Sequence, residues 1–117
     1  MALFKRRHIH KIHERQKTQT RRTHKRTWKV GRTYAIRDRW FGKPQGHIRI
    51  TRRFEEKLGE ISLEDVKKEG FSSLEEFRST WEEIYGPGSW DPEQAVTVYE
   101  FELVSPDSEE RSGPAVF

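Results

Sequence analysis

The sequence predicts a mixed α+β domain, and three observations predict it. Short helical and short alternating patterns follow one another without the regular strand–helix–strand rhythm of a parallel sheet. The most regular alternation, over 94–104, comes after two helical segments. The chain has 117 residues, enough for one domain and too few for two ordinary ones. Leu, Ile, Val and Phe number 25 of these, just above the roughly 20% below which a highly charged chain is suspected of disorder. Those residues and the four Trp are therefore expected to form one compact core.

Residues 5–15 carry only Ile9 and Ile12 as apolar anchors, at i and i+3. That spacing predicts a short helix with a narrow buried stripe and a cationic outer face. Residues 18–22 read as a short strand, and 23–29 as a basic loop ending at Trp28. Val30-Gly31 reads as a turn into a strand over 32–38, where Tyr34 and Ile36 alternate with Thr33, Ala35 and Arg37. Gly and Pro punctuate Trp40-Phe41-Gly42-Lys43-Pro44-Gln45-Gly46, as in a hairpin loop. A second strand follows over 47–54, with Ile48 and Ile50 on one face and Arg49 on the other.

Two short helices come next. Ser62 is expected to cap 63–68, with Gly70 as its terminator. Ser72 and Glu75 form a capping-box pattern for a helix over about 73–85, with Leu74, Phe77, Trp81 and Ile84 on one face. Over 94–104, Thr97, Tyr99, Phe101 and Leu103 fall on one side of a strand, with Val98, Glu100 and Glu102 opposite. Ser, Pro, Asp, Glu and Gly then dominate, so 105–117 is expected to be a disordered acidic tail behind a single domain over 1–104.

Charge divides the chain sharply. Residues 1–53 hold 18 Lys or Arg against two acids, Glu14 and Asp38, whereas 54–117 hold five bases against 17 acids. The net +4 conceals this. Charge alone suggests a basic nucleic-acid arm joined to an acidic domain. Cations interleaved with Trp28, Tyr34, Trp40 and Phe41 suit a polyanion: Lys and Arg displace counterions from phosphates, and aromatic faces stack on unpaired bases. The bland alternative is a solvated face whose acids fold back and pair with it.

Composition closes other doors. With no Cys, disulfides, thiolate zinc sites and cysteine nucleophiles are excluded. No apolar run approaches a membrane span and no secretory signal is evident, so a cytoplasmic protein without a membrane partner is expected. No dinucleotide, Walker, nucleophile-elbow or zincin motif is present. His8, His10 and His13 form an H-x-H-x-x-H run, but five cations flank it and Glu14 is the one nearby carboxylate. No metal and no cofactor are expected, and these His are expected in solvent near phosphates. Trp81 reads as core, and Trp40-Phe41 as an exposed stacking platform, a partner contact or plain loop packing.

Three motifs resemble the ASCH-domain family: Lys17-Thr18-Gln19-Thr20-Arg21-Arg22 after a short helix, Glu69-Gly70-Phe71 before the amphipathic helix, and Ile84-Tyr85-Gly86 followed by the strand Val96–Leu103. Their order and spacing agree across roughly 3–104. The resemblance implies a small PUA-like β-barrel with peripheral short helices and a cleft that, in the wider superfamily, receives RNA or a modified nucleoside. Some bacterial members are acetylcytidine amidohydrolases using a Lys, a Thr and a Glu. By residue type and position these map to Lys17, Thr20 and Glu69, with Arg22 in the same pocket. Gln16 stands where the family usually has Gly. Arg21 stands where it usually has an apolar residue, which implies a more cationic outer face. The resemblance also places the basic residues in the barrel itself, which implies that the two charge blocks are two sides of one fold, with only the cationic side meeting a ligand.

The chemistry of that set is intelligible on its own. A strand puts Thr20 and Arg22 on one face. A buried Lys17 loses proton affinity and can act as base toward the Thr20 hydroxyl, while Glu69 relays protons and Arg22 holds an anion or oxyanion. The same residues also describe a structural ion-pair network or a phosphate cleft without turnover. The expected function is therefore RNA or nucleoside binding in a cationic cleft lined by Lys17, Thr20, Arg22 and Glu69. Lys25, Arg26, Arg37, Arg49 and Arg52 would track phosphates and Trp40 would stack. The alternatives are an amidohydrolase on an acylated nucleoside, a ribonuclease, or a non-catalytic interaction module. A monomer is expected.

Overall fold

The computed structural model describes residues 2–23 and 27–105. Lys25 and Arg26, and all of the acidic tail beyond Ser105, lie outside the described residues. The elements run β1 (Ala2–Leu3), α1 (Arg6–His13), β2 (Gln19–Arg22), β3 (Thr33–Arg37), β4 (His47–Lys57), a 3-10 turn (Leu58–Glu60), α2 (Leu63–Lys68), α3 (Leu74–Tyr85) and β5 (Ala95–Val104). The mixed α+β expectation holds. β1 and the 3-10 turn are additions, since two or three residues carry no periodicity.

One five-stranded sheet has the order β1-β3-β4-β5-β2, with β1 parallel to β3 and the other pairs antiparallel. Among the described residues the ladders do not close into a ring, because β1 and β2 remain edges. The Arg22 Nη2 donates to the Leu3 carbonyl at 2.7 Å, so a side chain joins the two edges where a barrel would have a ladder.

Two apolar clusters form, rather than the single core expected. The first gathers Phe4, Ile9, Ile12, Trp28, Ile36, Ile48, Ile50, Tyr99 and Phe101, with α1 across it. The second gathers Leu58, Val66, Phe71, Phe77, Trp81, Val96 and Val98 under α2 and α3. The alternation of β5 is as read, yet both of its faces are used. Tyr99 and Phe101 enter the first cluster, whereas Val96 and Val98, on the opposite side, enter the second. In β4 the register shifts between Ile50 and Arg52, so Ile48 and Ile50 serve the first cluster and Phe54 packs on the second. A bulge of this kind re-aims the following side chains.

The helix boundaries follow local chemistry. The Ser62 side chain accepts from the Asp65 N–H as expected. The cap of α3 falls one residue later than the capping-box pattern implied. Ser73 accepts from the Glu76 N–H, and the Ser72 hydroxyl donates to the Glu76 carboxylate. Phe77 and Trp81 are buried, but Leu74 and Ile84 are exposed, because α3 meets the second cluster along a narrower stripe than four apolar residues suggested. Among the described residues no helix is long and apolar enough to cross a membrane.

The charge halves are not two sides. Glu83 pairs with Lys5 and Arg7, Glu102 with Arg49, Glu100 with Arg52, and Glu76 with Lys11. The reason is topological. Antiparallel pairing sets basic β4 against acidic β5, and α3 brings its carboxylates beside α1. The fold-back of the acids, the bland alternative, accounts for much of the cationic half.

Candidate functional site

A cavity of about 310 Å³ lies at the seam between β1 and β2, flanked by α1 on one side and α3 on the other. Four residues singled out in the sequence meet in its lining: Lys17, Thr20, Arg22 and Glu69. Phe4, Phe71, Phe77, Trp81 and Tyr85 supply aromatic wall, and His8 and Asp38 also border it.

Each polar group arrives by a local rule. Thr20 and Arg22 are two apart on β2 and so share a face. There the Arg22 Nε donates to the Thr20 Oγ1 at 3.2 Å, and its guanidinium lies 4.5 Å from the Phe4 ring centre and 5.0 Å from that of Trp28. Glu69 is the C-cap of α2, where helical twist stops and a side chain can turn inward. The stop is a Schellman arrangement: the Phe71 N–H bonds to the Val66 carbonyl at 3.1 Å, and the Gly70 N–H to Lys67 at 2.9 Å, with Gly70 at φ +95°. Glycine takes that φ without the Cβ clash other residues meet.

Lys17 and Glu69 form a buried ion pair. The ammonium donates to the Glu69 Oε1 at 2.9 Å and to the Glu69 carbonyl at 3.0 Å. Burial pushes Lys17 below the usual lysine range, and the Glu69 charge acts against that. The result is a buried lysine held beside its own proton acceptor.

Arg21 is the residue the sequence misplaced. It does not add to a cationic outer face; its side chain is fully buried. Its face of β2 is the Val98 face of β5, which α2 covers. There it donates to the Glu69 Oε2 at 3.0 Å, Glu56 at 2.7 Å and Asp65 at 3.2 Å, and also to Gln19. Glu69 is thus fixed through both oxygens by two cations.

His8 is a second correction. His10 and His13 are exposed as expected, but His8 is buried on the cavity side of α1, edge-on to Phe71 with ring centres 5.8 Å apart. Burial, followed by the charges of Lys17, Arg7, Lys11 and Lys5, lowers its pKa from 6.5 to about 3. It is a neutral imidazole, and its Nε2 is buried without a hydrogen-bond partner. The one signal in sequence was its place one position before Ile9, next to the narrow stripe.

The remaining candidates lie elsewhere. Arg49 and Arg52 stand on β4, paired to β5 carboxylates, outside the cavity lining. Arg37 donates to the Gly42 carbonyl at 2.6 Å and braces the β3–β4 loop that carries Trp40. Trp81 is core as expected and forms cavity wall as well.

Comparison of this fold with solved structures finds an ASCH domain from Lactobacillus crispatus JV V101. It superposes with a TM-score of 0.72 over 84% of this chain and 70% of that one, at 16% identity. The chain has the fold of an ASCH domain. Protein EF3133 of Enterococcus faecalis V583, of family DUF984, matches with a TM-score of 0.65 over 85% of this chain and 71% of that one, at 21% identity. A variant of the ASCH protein of Zymomonas mobilis matches at 0.58 over 99% and 81%, at 13% identity. No protein-family model and no curated protein matches the sequence. In this version of the ASCH fold the seam between the edge strands is the cavity, and the motif spanning Lys17 to Arg22 forms one of its walls.

Proposed function

We propose that the seam cavity is a nucleoside pocket, and that this ASCH-fold chain, acting as a monomer through its 1–104 unit, uses it to bind RNA or a modified nucleoside. One observation carries the reading: Lys17, Thr20, Arg22 and Glu69 converge in a single cavity with aromatic walls. Aromatic rings give a flat heterocycle its stacking surface, and a few fixed polar groups set its orientation. Arg22 supplies donors for a carbonyl or phosphate oxygen. The cationic phosphate track expected from the sequence has weaker support, because Arg49 and Arg52 are paired with acids.

The pairing of a low-affinity lysine with a threonine in the same cavity favours a second reading, hydrolysis of an acylated nucleoside. For turnover, Lys17, whose proton affinity burial lowers, passes its proton to the Glu69 carboxylate 2.9 Å away. The Lys17 amine then takes the Thr20 proton as the hydroxyl attacks the acyl carbonyl, Arg22 faces the oxyanion, and Glu69 protonates the leaving nitrogen. Water hydrolyses the acyl-threonine to the free acid.

Calorimetric titration with cytidine and acetylcytidine tests binding, and acetate release from acetylcytidine tests turnover. The expected results are saturable binding, and release that Thr20→Val abolishes while the thermal melt is retained. If neither nucleoside binds the intact chain, the pocket reading falls. Binding without release leaves the first reading and removes the second.

A further inference from the structure

The loop between β3 and β4 leaves two adjacent aromatic side chains in solvent. Trp40 is 52% exposed and Phe41 is 93% exposed. The loop that carries them is braced from several directions. Arg37 donates to the Gly42 carbonyl at 2.6 Å, the Gly42 N–H closes a turn on Arg39 at 3.0 Å, and the Gln45 N–H bonds to Ile36 at 2.7 Å. Asp38, at the root, is held by Arg6 of α1 at 3.1 Å. Gly42 is packed so closely that a Cβ there would stand 2.8 Å from the Arg39 Cγ. Exposed apolar rings on a fixed support are a cost in solvent that a ligand would recover.

Position and charge say which ligand. Asp38 lines the cavity, and Trp40 follows two residues later, so at most about 7 Å of chain separates it from the cavity rim. Residues 39–46 carry Arg39 and Lys43 and no acid, while the one carboxylate at the root is already engaged by Arg6. Flat rings set among cations match unpaired bases on a phosphate backbone. A protein partner would demand a wider apolar patch than two side chains offer.

We propose that the 38–46 loop is a stacking platform for single-stranded RNA, holding the nucleotides next to one whose base enters the seam cavity. The inference rests on the nucleoside-pocket reading and adds the polymer to it: the strand, rather than the free nucleoside, is the preferred ligand. The loop selects for chain and the cavity for base.

The test uses the full chain and a fluorescently labelled single-stranded decanucleotide of random RNA sequence. Affinity is followed by anisotropy, alongside calorimetry with cytidine and acetylcytidine. In the Trp40→Ala, Phe41→Ala double variant, oligonucleotide affinity is expected to fall at least about tenfold, with nucleoside binding and the thermal melt unchanged. Neither side chain belongs to either apolar cluster. Equal oligonucleotide affinity in the double variant, no oligonucleotide binding by the intact chain, or equally tight binding of the same-length duplex each overturns the platform. If the nucleosides fail to bind while the loop variant still loses oligonucleotide affinity, the platform stands and the pocket reading falls.

Discussion

The Lys17 ammonium and the Glu69 carboxylate lie 2.9 Å apart, with side chains only 4% and 3% exposed. Removing one member of such a pair leaves a charge without water or partner, which costs about 3–5 kcal/mol. The two members are not equivalent, because Arg21 also holds Glu69. Glu69→Gln is expected to show that full loss in urea denaturation, since it strands two cations. Lys17→Met is expected to cost less, since Glu69 keeps its bond to Arg21. Equal losses would mean that Arg21 does not share the carboxylate.

His8 makes stability depend on pH in a window of its own. Its folded pKa is about 3 and its usual value 6.5, so below pH 6.5 the unfolded chain takes up a proton that the folded chain refuses. Folding stability must then fall as pH drops, by about 1.4 kcal/mol per unit for one proton. Between pH 6.5 and 5 that slope is expected in denaturant midpoints, and His8→Phe, which keeps a ring against Phe71, is expected to flatten it. An unchanged slope in the variant would assign it to another group.

Arg21 organises the underside of the site. Arg21→Leu keeps the bulk but removes the donor shared by Glu56, Asp65 and Glu69, leaving three carboxylates facing one another. A loss of about 3–5 kcal/mol is expected. In a double-mutant cycle, Arg21→Leu and Glu69→Gln should cost well under the sum of their separate effects. Additive losses would place the two residues in independent interactions.

Gly70 links the helix stop to the ion pair. A Cβ there would stand 3.1 Å from the Lys11 Cδ and 3.3 Å from the Lys17 Cβ, on a backbone at φ +95°. Gly70→Ala is expected to lose about 1–2 kcal/mol in thermal or chemical unfolding, and to shift the NMR signals of Lys17 with it. A neutral substitution would show that the turn relaxes freely.

The legible part of this site was the part carried by one element. The shared face of Thr20 and Arg22 follows from β2 and its period of two, and the α2 stop follows from Ser62 and Gly70, whereas Lys17, which precedes β2, entered through the resemblance. Glu69 entered only through the resemblance, because nothing local says that a helix C-cap returns to a strand some fifty residues earlier. Arg21 was misread for the opposite reason: a cation in a basic run looks solvated until the cover on its strand face is known. His8 shows the same limit. Its burial depends on where α1 meets the seam, and two isoleucines do not specify the width of that contact. The pairing of Arg49 and Arg52 with Glu102 and Glu100 depends on the β4/β5 register and its shift after Ile50, which only the assembled sheet reveals.

The Arg22 bond to the Leu3 carbonyl has a consequence for the amino-terminal segment. β1 has two residues and a ladder with β3 alone, so on its other flank one guanidinium fastens it. That same guanidinium faces the cavity, where an entering anion would seek its donors. Occupancy of the site and anchoring of the first residues therefore draw on one group, as two ropes on a single cleat. Amide exchange near Leu3 is the natural gauge of which rope is taut.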